Sequence, residues 1–329
     1  MNSGMKNDEY PMMKPVSLEQ LLRDETTFVD LYVQLNEKKF VLVAKAGTQT
    51  TNLARYRDRQ IQYLHVRYDD LTKLFHQSMT VAGVMLNQGN IAEHSKVIAL
   101  EQALGTVYRN FEIFGLNAQT VSHAKVVSEA TMTMAQAHSE LQKLVSQMSH
   151  LQDPGHRHSL MVSGLCAMLG VAMGYTVPAT LEKLALGGFL HDIGKIKLPQ
   201  DILGKPVHRL TKAENEIFKS HVELGLNMSQ AVRDLPYDVS LMIHEHHEFA
   251  DGSGYPRKIK DLLMSPLGRI AVVANAFAEK AIEQSDETKP MTVDQVVEEM
   301  CTKTPHLYNR EVLKALRVLT NERKIAAAG

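Results

Sequence analysis

At 329 residues, 44% of them apolar, the chain can bury a core in each of two domains. A net charge of -1 argues against a broad basic surface for a nucleic-acid polymer or an anionic membrane, and leaves a small anionic ligand open. The two cysteines, Cys166 and Cys301, lie far apart, which excludes a disulfide framework and a thiolate zinc site. No apolar run approaches the roughly 20 residues needed to cross a bilayer, and the start has no signal-peptide core, so the cytoplasm is the expected compartment.

Residues 1–16 are polar, carry two prolines and read as a flexible tail. Ser17 is placed to cap a short helix. Strand-like runs at 28–35 and 40–44 flank the polar Asn36-Glu37-Lys38-Lys39, which suits a hairpin loop, and a third run covers 63–68. Together with the helical pattern from Asp69 to about Gly115, these predict a small α/β regulatory or interaction domain over 17–115. A long connecting helix is expected over 116–152. Within it Val127, Ala130, Met134, Ala137, Leu141, Leu144, Met148 and Leu151 recur at gaps of three and four. That seam either joins two protomers through 120–151 or docks on its own domain.

The pattern breaks at Asp153-Pro154-Gly155, and 153–329 reads as all-α. Helices are expected at 158–173, 180–191, 237–248, 266–284, 293–300 and 310–322. Thr211-Lys212-Ala213-Glu214 is a capping box, so the helix bearing His221 is expected to begin at Thr211. The fold class is therefore mainly α: a C-terminal helical bundle behind a small α/β part and a connecting helix.

Chemistry-bearing residues concentrate between 190 and 256. The stretch opens with Leu190-His191-Asp192-Ile193-Gly194-Lys195, holds His221, and closes with His246-His247-Glu248-Phe249-Ala250-Asp251-Gly252-Ser253-Gly254-Tyr255-Pro256. In His191-Asp192 an imidazole can grip one metal ion while the carboxylate bridges to a second. Lys195 lies one helical turn after His191, so its ammonium is expected to face whatever the metals bind, with Gly194 leaving that ligand room. His221 alone would read as a satisfied structural group. Neighbouring His246 and His247 are costly to bury together without a cation or hydrogen-bond partners, which favours metal binding for the set. His244 is expected to be a surface neighbour. Residues 251–256 can stand as a plain turn, or can fold over a bound phosphodiester and place Tyr255 against it.

The order and spacing of these motifs, with Ile202-Leu203-Gly204-Lys205-Pro206 and Lys219-Ser220-His221-Val222-Glu223-Leu224-Gly225 between them, resemble the HD-GYP family. This is the branch of the HD phosphohydrolases whose members hydrolyse cyclic di-GMP, and the resemblance covers about residues 130 to 325. It implies a compact helical bundle holding two divalent metal ions, iron or manganese. It assigns His158 as the early metal histidine, with His156 an incidental loop residue. His191 and a bridging Asp192 would bind metal, and His221, His246 and His247 would complete the second site. Lys195 would contact the scissile phosphate and act with Asp192 in catalysis, while Gly254, Tyr255 and Arg269 would belong to the substrate pocket. A hydroxide bridging the metals would attack phosphorus, giving pGpG or GMP.

Three departures stand out. In Arg269-Ile270-Ala271-Val272-Val273-Ala274-Asn275-Ala276-Phe277-Ala278, Asn275 occupies the family's metal-aspartate position, and a carboxamide oxygen is a weaker donor to a hard cation. The family's basic RPY stretch is reduced to Lys289-Pro290-Met291, and Pro154 stands where members with a third metal carry a glutamate, which predicts no more than two ions. The sequence thus supports a cyclic-di-GMP phosphodiesterase, with two alternatives: a slow or inactive receptor or interaction module, or a phosphodiesterase for another cyclic dinucleotide.

Overall fold

Tyr63–Arg67 alternates as a half-buried strand should, with Leu64 and Val66 fully buried between outward-facing neighbours. It lies inside a four-stranded antiparallel sheet of order β1-β4-β2-β3, formed by β1 (Met13–Ser17), β2 (Leu31–Asn36), β3 (Lys39–Ala44) and β4 (Tyr63–Arg67). The computed structural model describes residues 12–22, 26–36, 39–68, 70, 93–137, 141–282 and 291–326. The tail expected over 1–16 therefore gives way at Met13, where β1 pairs with β4 and Val16 enters the core. Pro15 is tolerated because β1 is an edge strand.

The chain divides into two compact units, Met1–Val81 and Ala82–Gly329. The division falls well before residue 115, so the helix Glu93–Phe114 groups with the C-terminal unit rather than with the sheet. Among the described residues after 70 there are helices and turns and no strand, and no helix is long and apolar enough to cross a membrane.

The second unit is built around two helices buried on almost every side, Pro154–Ala172 and Pro178–Leu190. Asp153 caps the first by accepting from the His156 N–H at 2.9 Å, so the sequence break at Asp153-Pro154 is a helix start. The two helices touch at Gly188, where a Cβ would lie 2.8 Å from the Val162 carbonyl oxygen, and Ser163 Oγ donates to the Ala185 carbonyl at 2.8 Å. Leu160, Met161, Val162 and Leu165 are fully buried there, each contributing about 1.5–3 kcal/mol by removal from water. Helices Ala118–Gln136, Tyr237–Glu245 and Pro266–Ile282 close around this pair.

The expected connecting helix is two helices, Ala118–Gln136 and Leu141–Ser149, both packed on the bundle. Leu141, Leu144, Met148 and Leu151 are buried within the chain, Leu144 against Gly164 of the central helix. That half of the heptad seam has no face left for a second protomer.

Candidate metal centre

Three of the candidate ligands follow helix ends, and one local device fixes each of them. The last carbonyls of a helix have no partner within it. His191, after Pro178–Leu190, places Nδ1 2.7 Å from the Gly188 carbonyl; His246, after Tyr237–Glu245, lies 2.8 Å from that of Ile243. His221 does the same to Phe218 at 2.7 Å, which requires the helix Lys212–Lys219 to end before it. The capping box at Thr211 and Glu214 does form, but the chain breaks at Ser220 and His221 opens a new helix, His221–Gln230.

A carbonyl can only accept, so Nδ1 carries a hydrogen in all three rings, and in the neutral imidazole Nε2 is then the atom with the lone pair. These Nε2 atoms converge on Asp192: His191 at 3.2 Å from Oδ2, His221 at 3.2 Å and His246 at 3.6 Å from Oδ1. His221 and His246 face each other Nε2 to Nε2 at 3.3 Å, and His158 and His191 do so at 3.0 Å. Burial drives the pKa of His246 down to about 3 and lowers those of His191 and His247, so these imidazoles carry no proton to share at neutral pH. Burial would raise the Asp192 carboxyl, but Lys195 and the His191 and His221 imidazoles outweigh it and hold Asp192 well below the usual carboxylate range. Lone pairs and an ionised carboxylate thus meet in a buried space, an arrangement that a cation relieves.

The ligand atoms form two groups sharing Asp192, one with His221, His246 and His247, the other with His158 and His191, each within 4.8 Å. Nitrogen with carboxylate oxygen suits a first-row divalent ion. Asn275, on Pro266–Ile282, brings Oδ1 to 3.0 Å from His158 Nε2, at the edge of the second group.

The remaining candidates are distributed around this cluster. Lys195 Nζ lies 2.6 Å from Asp192 Oδ2 and 5.3 Å from the centre of the Phe218 ring. Tyr255 stacks on His247 with centroids 4.6 Å apart and rings 19° from parallel, and burial raises its phenol so that it stays neutral. Gly254 is required because a Cβ there would overlap the backbone of His247 to Phe249, onto which the loop folds, with Tyr255 N–H donating to the His247 carbonyl at 3.0 Å. Arg269 is engaged with Asp261, its Nε donating to that carbonyl at 3.0 Å.

Other expectations are corrected. Gly194 does not leave room for a ligand: its open side is filled by the His221 carbonyl and the Gly225 N–H, so it admits a helix instead. His244 is buried rather than at the surface, because its Nε2 meets Glu223 at 2.9 Å. His156 lies within a helix rather than a loop and is tilted against Tyr108, apart from the ligand groups. Lys289 and Pro290 lie outside the described residues.

Sequence reasoning missed several supporting groups. Glu245, 1% exposed, accepts from Arg257 at 2.6 Å and from the Ser265 N–H and hydroxyl at 2.8 and 2.7 Å. Glu248 turns away from the imidazoles and accepts from the backbone N–H groups of Arg257 and Ile259 at 2.7 and 3.1 Å. These two carboxylates pin both ends of the segment after Tyr255. Tyr108, from Glu93–Phe114, places its hydroxyl 2.5 Å from that of Ser159, beside His158. Glu245 and Tyr108 are a single acid and a tyrosine in helical runs, a pattern that flags nothing, while Glu248 lies inside the His246 to Pro256 run without a sign of its backbone partners.

The HD domain family model matches residues 132–312. A cyclic di-GMP phosphodiesterase of Thermotoga maritima is 29% identical over 229 residues, covering 68% of this chain and 61% of that protein. A 3'3'-cGAMP-specific phosphodiesterase 2 of Vibrio cholerae is 31% identical over 128 residues, 39% of this chain and 24% of that protein. The chain thus spans less than two thirds of either relative. Among solved structures, Bd1817, an HDG"Y"P protein from Bdellovibrio bacteriovorus, shares the fold at a TM-score of 0.61 with 18% identity, covering 93% of this chain and 98% of that one. With the family match extending over more than half of its length, the chain belongs to the HD domain family.

Proposed function

We propose that the chain is a metal-dependent phosphodiesterase that opens cyclic di-GMP in the cytoplasm, releasing pGpG or GMP. The observation that carries this reading is the convergence of buried imidazole lone pairs on one ionised carboxylate, Asp192, shared by two donor groups. Similarity to a Thermotoga maritima relative named for cyclic di-GMP hydrolysis supports the substrate class.

His158, His191, Asp192 and Asn275 would hold one ion, and Asp192, His221, His246 and His247 the other. Iron or manganese bound there would supply Lewis acidity at the phosphate and an acidified water as nucleophile. The chain's own groups do the rest. The Asp192 carboxylate stays ionised and ties the two groups together. Lys195, beside it, places an ammonium to offset charge on the scissile phosphate oxygens. Tyr255, neutral and stacked on His247, walls the pocket and keeps water from one side, and Gly254 lets that wall close down. Arg269 acts through Asp261, holding the segment that carries this wall. Asn275 supplies a neutral oxygen in place of a carboxylate, which lowers metal affinity and turnover.

The test is hydrolysis of cyclic di-GMP by protein loaded with iron or manganese under reducing conditions, read by chromatography of the products. His191→Ala should abolish turnover; undiminished hydrolysis by that variant refutes the site. Two further readings have a supporting observation each. The similarity to a Vibrio cholerae relative named for 3'3'-cGAMP favours a mixed cyclic dinucleotide, and competition between the two substrates decides it. The carboxamide at Asn275 favours a receptor, and tight nucleotide binding without cleavage would establish that.

A further inference from the structure

Asn275 is 3% exposed, and its amide has two ends with opposite chemistry. Its Nδ2 lies 3.0 Å from Glu279 Oε1, one turn further along the same helix. A carboxylate only accepts, so Glu279 fixes which end of the amide faces it. The carbonyl oxygen is thereby turned the other way, to 3.0 Å from His158 Nε2. That nitrogen is in turn 3.0 Å from His191 Nε2 and 3.7 Å from Asp192 Oδ2. Were the amide reversed, two N–H hydrogens would point into the donor group and repel a cation.

We infer that Glu279 is a positioning residue for Asn275: it locks the carbonyl oxygen toward the group formed by His158, His191 and Asp192, and its charge polarises the amide into a stronger donor. The inference rests on reading that group as a cation site. Glu279 returns, one residue removed, part of the negative charge that the carboxamide lacks. A corollary follows for Asn275→Asp. That change alone places two carboxylates side by side on the helix, and their repulsion offsets the gain in donor strength. The gain should emerge fully only when Glu279 is neutral as well.

Titration of the metal-free chain with manganese, followed by calorimetry and elemental analysis, tests this. Glu279→Ala should weaken the affected ion about tenfold, the lower end expected for groups that orient a metal ligand. Glu279→Gln, which can still accept from the amide, should lose less. Asn275→Asp should gain less affinity alone than when combined with Glu279→Gln. If the unaltered chain binds manganese and Glu279→Ala binds it equally, the inference falls while the cation-site reading stands. Should Asn275→Asp gain equally in both backgrounds, the charge contribution is overturned. A chain that binds no manganese removes both readings. Glu279 is exposed, so the thermal melting of its variants should be unchanged, separating loss of metal from loss of fold.

Discussion

His221 and His246 aim their Nε2 atoms at each other across 3.3 Å while each donates its Nδ1 hydrogen to a carbonyl three residues earlier. His246, whose pKa burial depresses, has no hydrogen to place between them, and a cation in that space would draw on the lone pair it presents. His246→Ala should empty the donor group it belongs to and leave the one containing His158 loaded. Elemental analysis of manganese-loaded protein would show a loss of one equivalent; an unchanged content would show that the rings serve only packing.

The depressed imidazoles make stability depend on pH with a definite sign. His191, His246 and His247 resist protonation when folded, His246 down to about pH 3, whereas an unfolded histidine titrates near 6.5. Below about 6.5 the unfolded chain binds protons that the folded one refuses, so stability falls as pH drops. Asp192 acts with the same sign in a lower range: its stabilisation is full above the ordinary carboxyl range near 3.8 and is lost as pH falls below it. Between pH 7 and 5 His246 alone should remove about 2 kcal/mol from the chelator-treated protein, and His191 and His247 should lower stability in the same direction. Urea midpoints that stay constant over this window would contradict neutral, buried rings.

Lys195 sits on Asp192 with a third of its side chain still exposed, positioned to meet an incoming phosphate. Lys195→Met should lower kcat/KM for a cyclic dinucleotide on the order of a hundredfold. Metal content should be retained. A matching fall in bound metal would instead make Lys195 a support for Asp192.

Glu245 joins Arg257, Ser265 and the start of the helix Pro266–Ile282 through one buried carboxylate. Glu245→Ala strands those donors, and about 3 kcal/mol of stability should be lost, visible as a lower urea midpoint. Substrate affinity should weaken too, because the segment after Tyr255 loses its anchor. An unaltered midpoint would mean that water replaces the carboxylate at little cost.

Much of the centre was legible because its residues advertise themselves locally. His191-Asp192 and His246-His247 are adjacent pairs, and their burial demands compensation wherever the chain goes. Glu245 and Glu279 carry no such mark, since a lone acid on a helix is the commonest surface residue until its partner is known. The strand Met13–Ser17 was hidden for another reason: its partner lies near residue 65, and pairing over that distance leaves no trace in the local pattern. Periodicity showed that Leu141, Leu144 and Met148 form an apolar stripe, but a stripe does not name what covers it.

That stripe has a practical consequence for anyone dissecting the molecule. A fragment begun at Pro154, where the ligand-bearing helices start, would strip away the cover over Gly164 and expose greasy surface along the central helix. Tyr108 would go with it, removing the hydroxyl beside His158. The smallest piece that keeps its interior dry begins no later than Glu93, so the helices ahead of the motifs are part of the helical body rather than a tether to it.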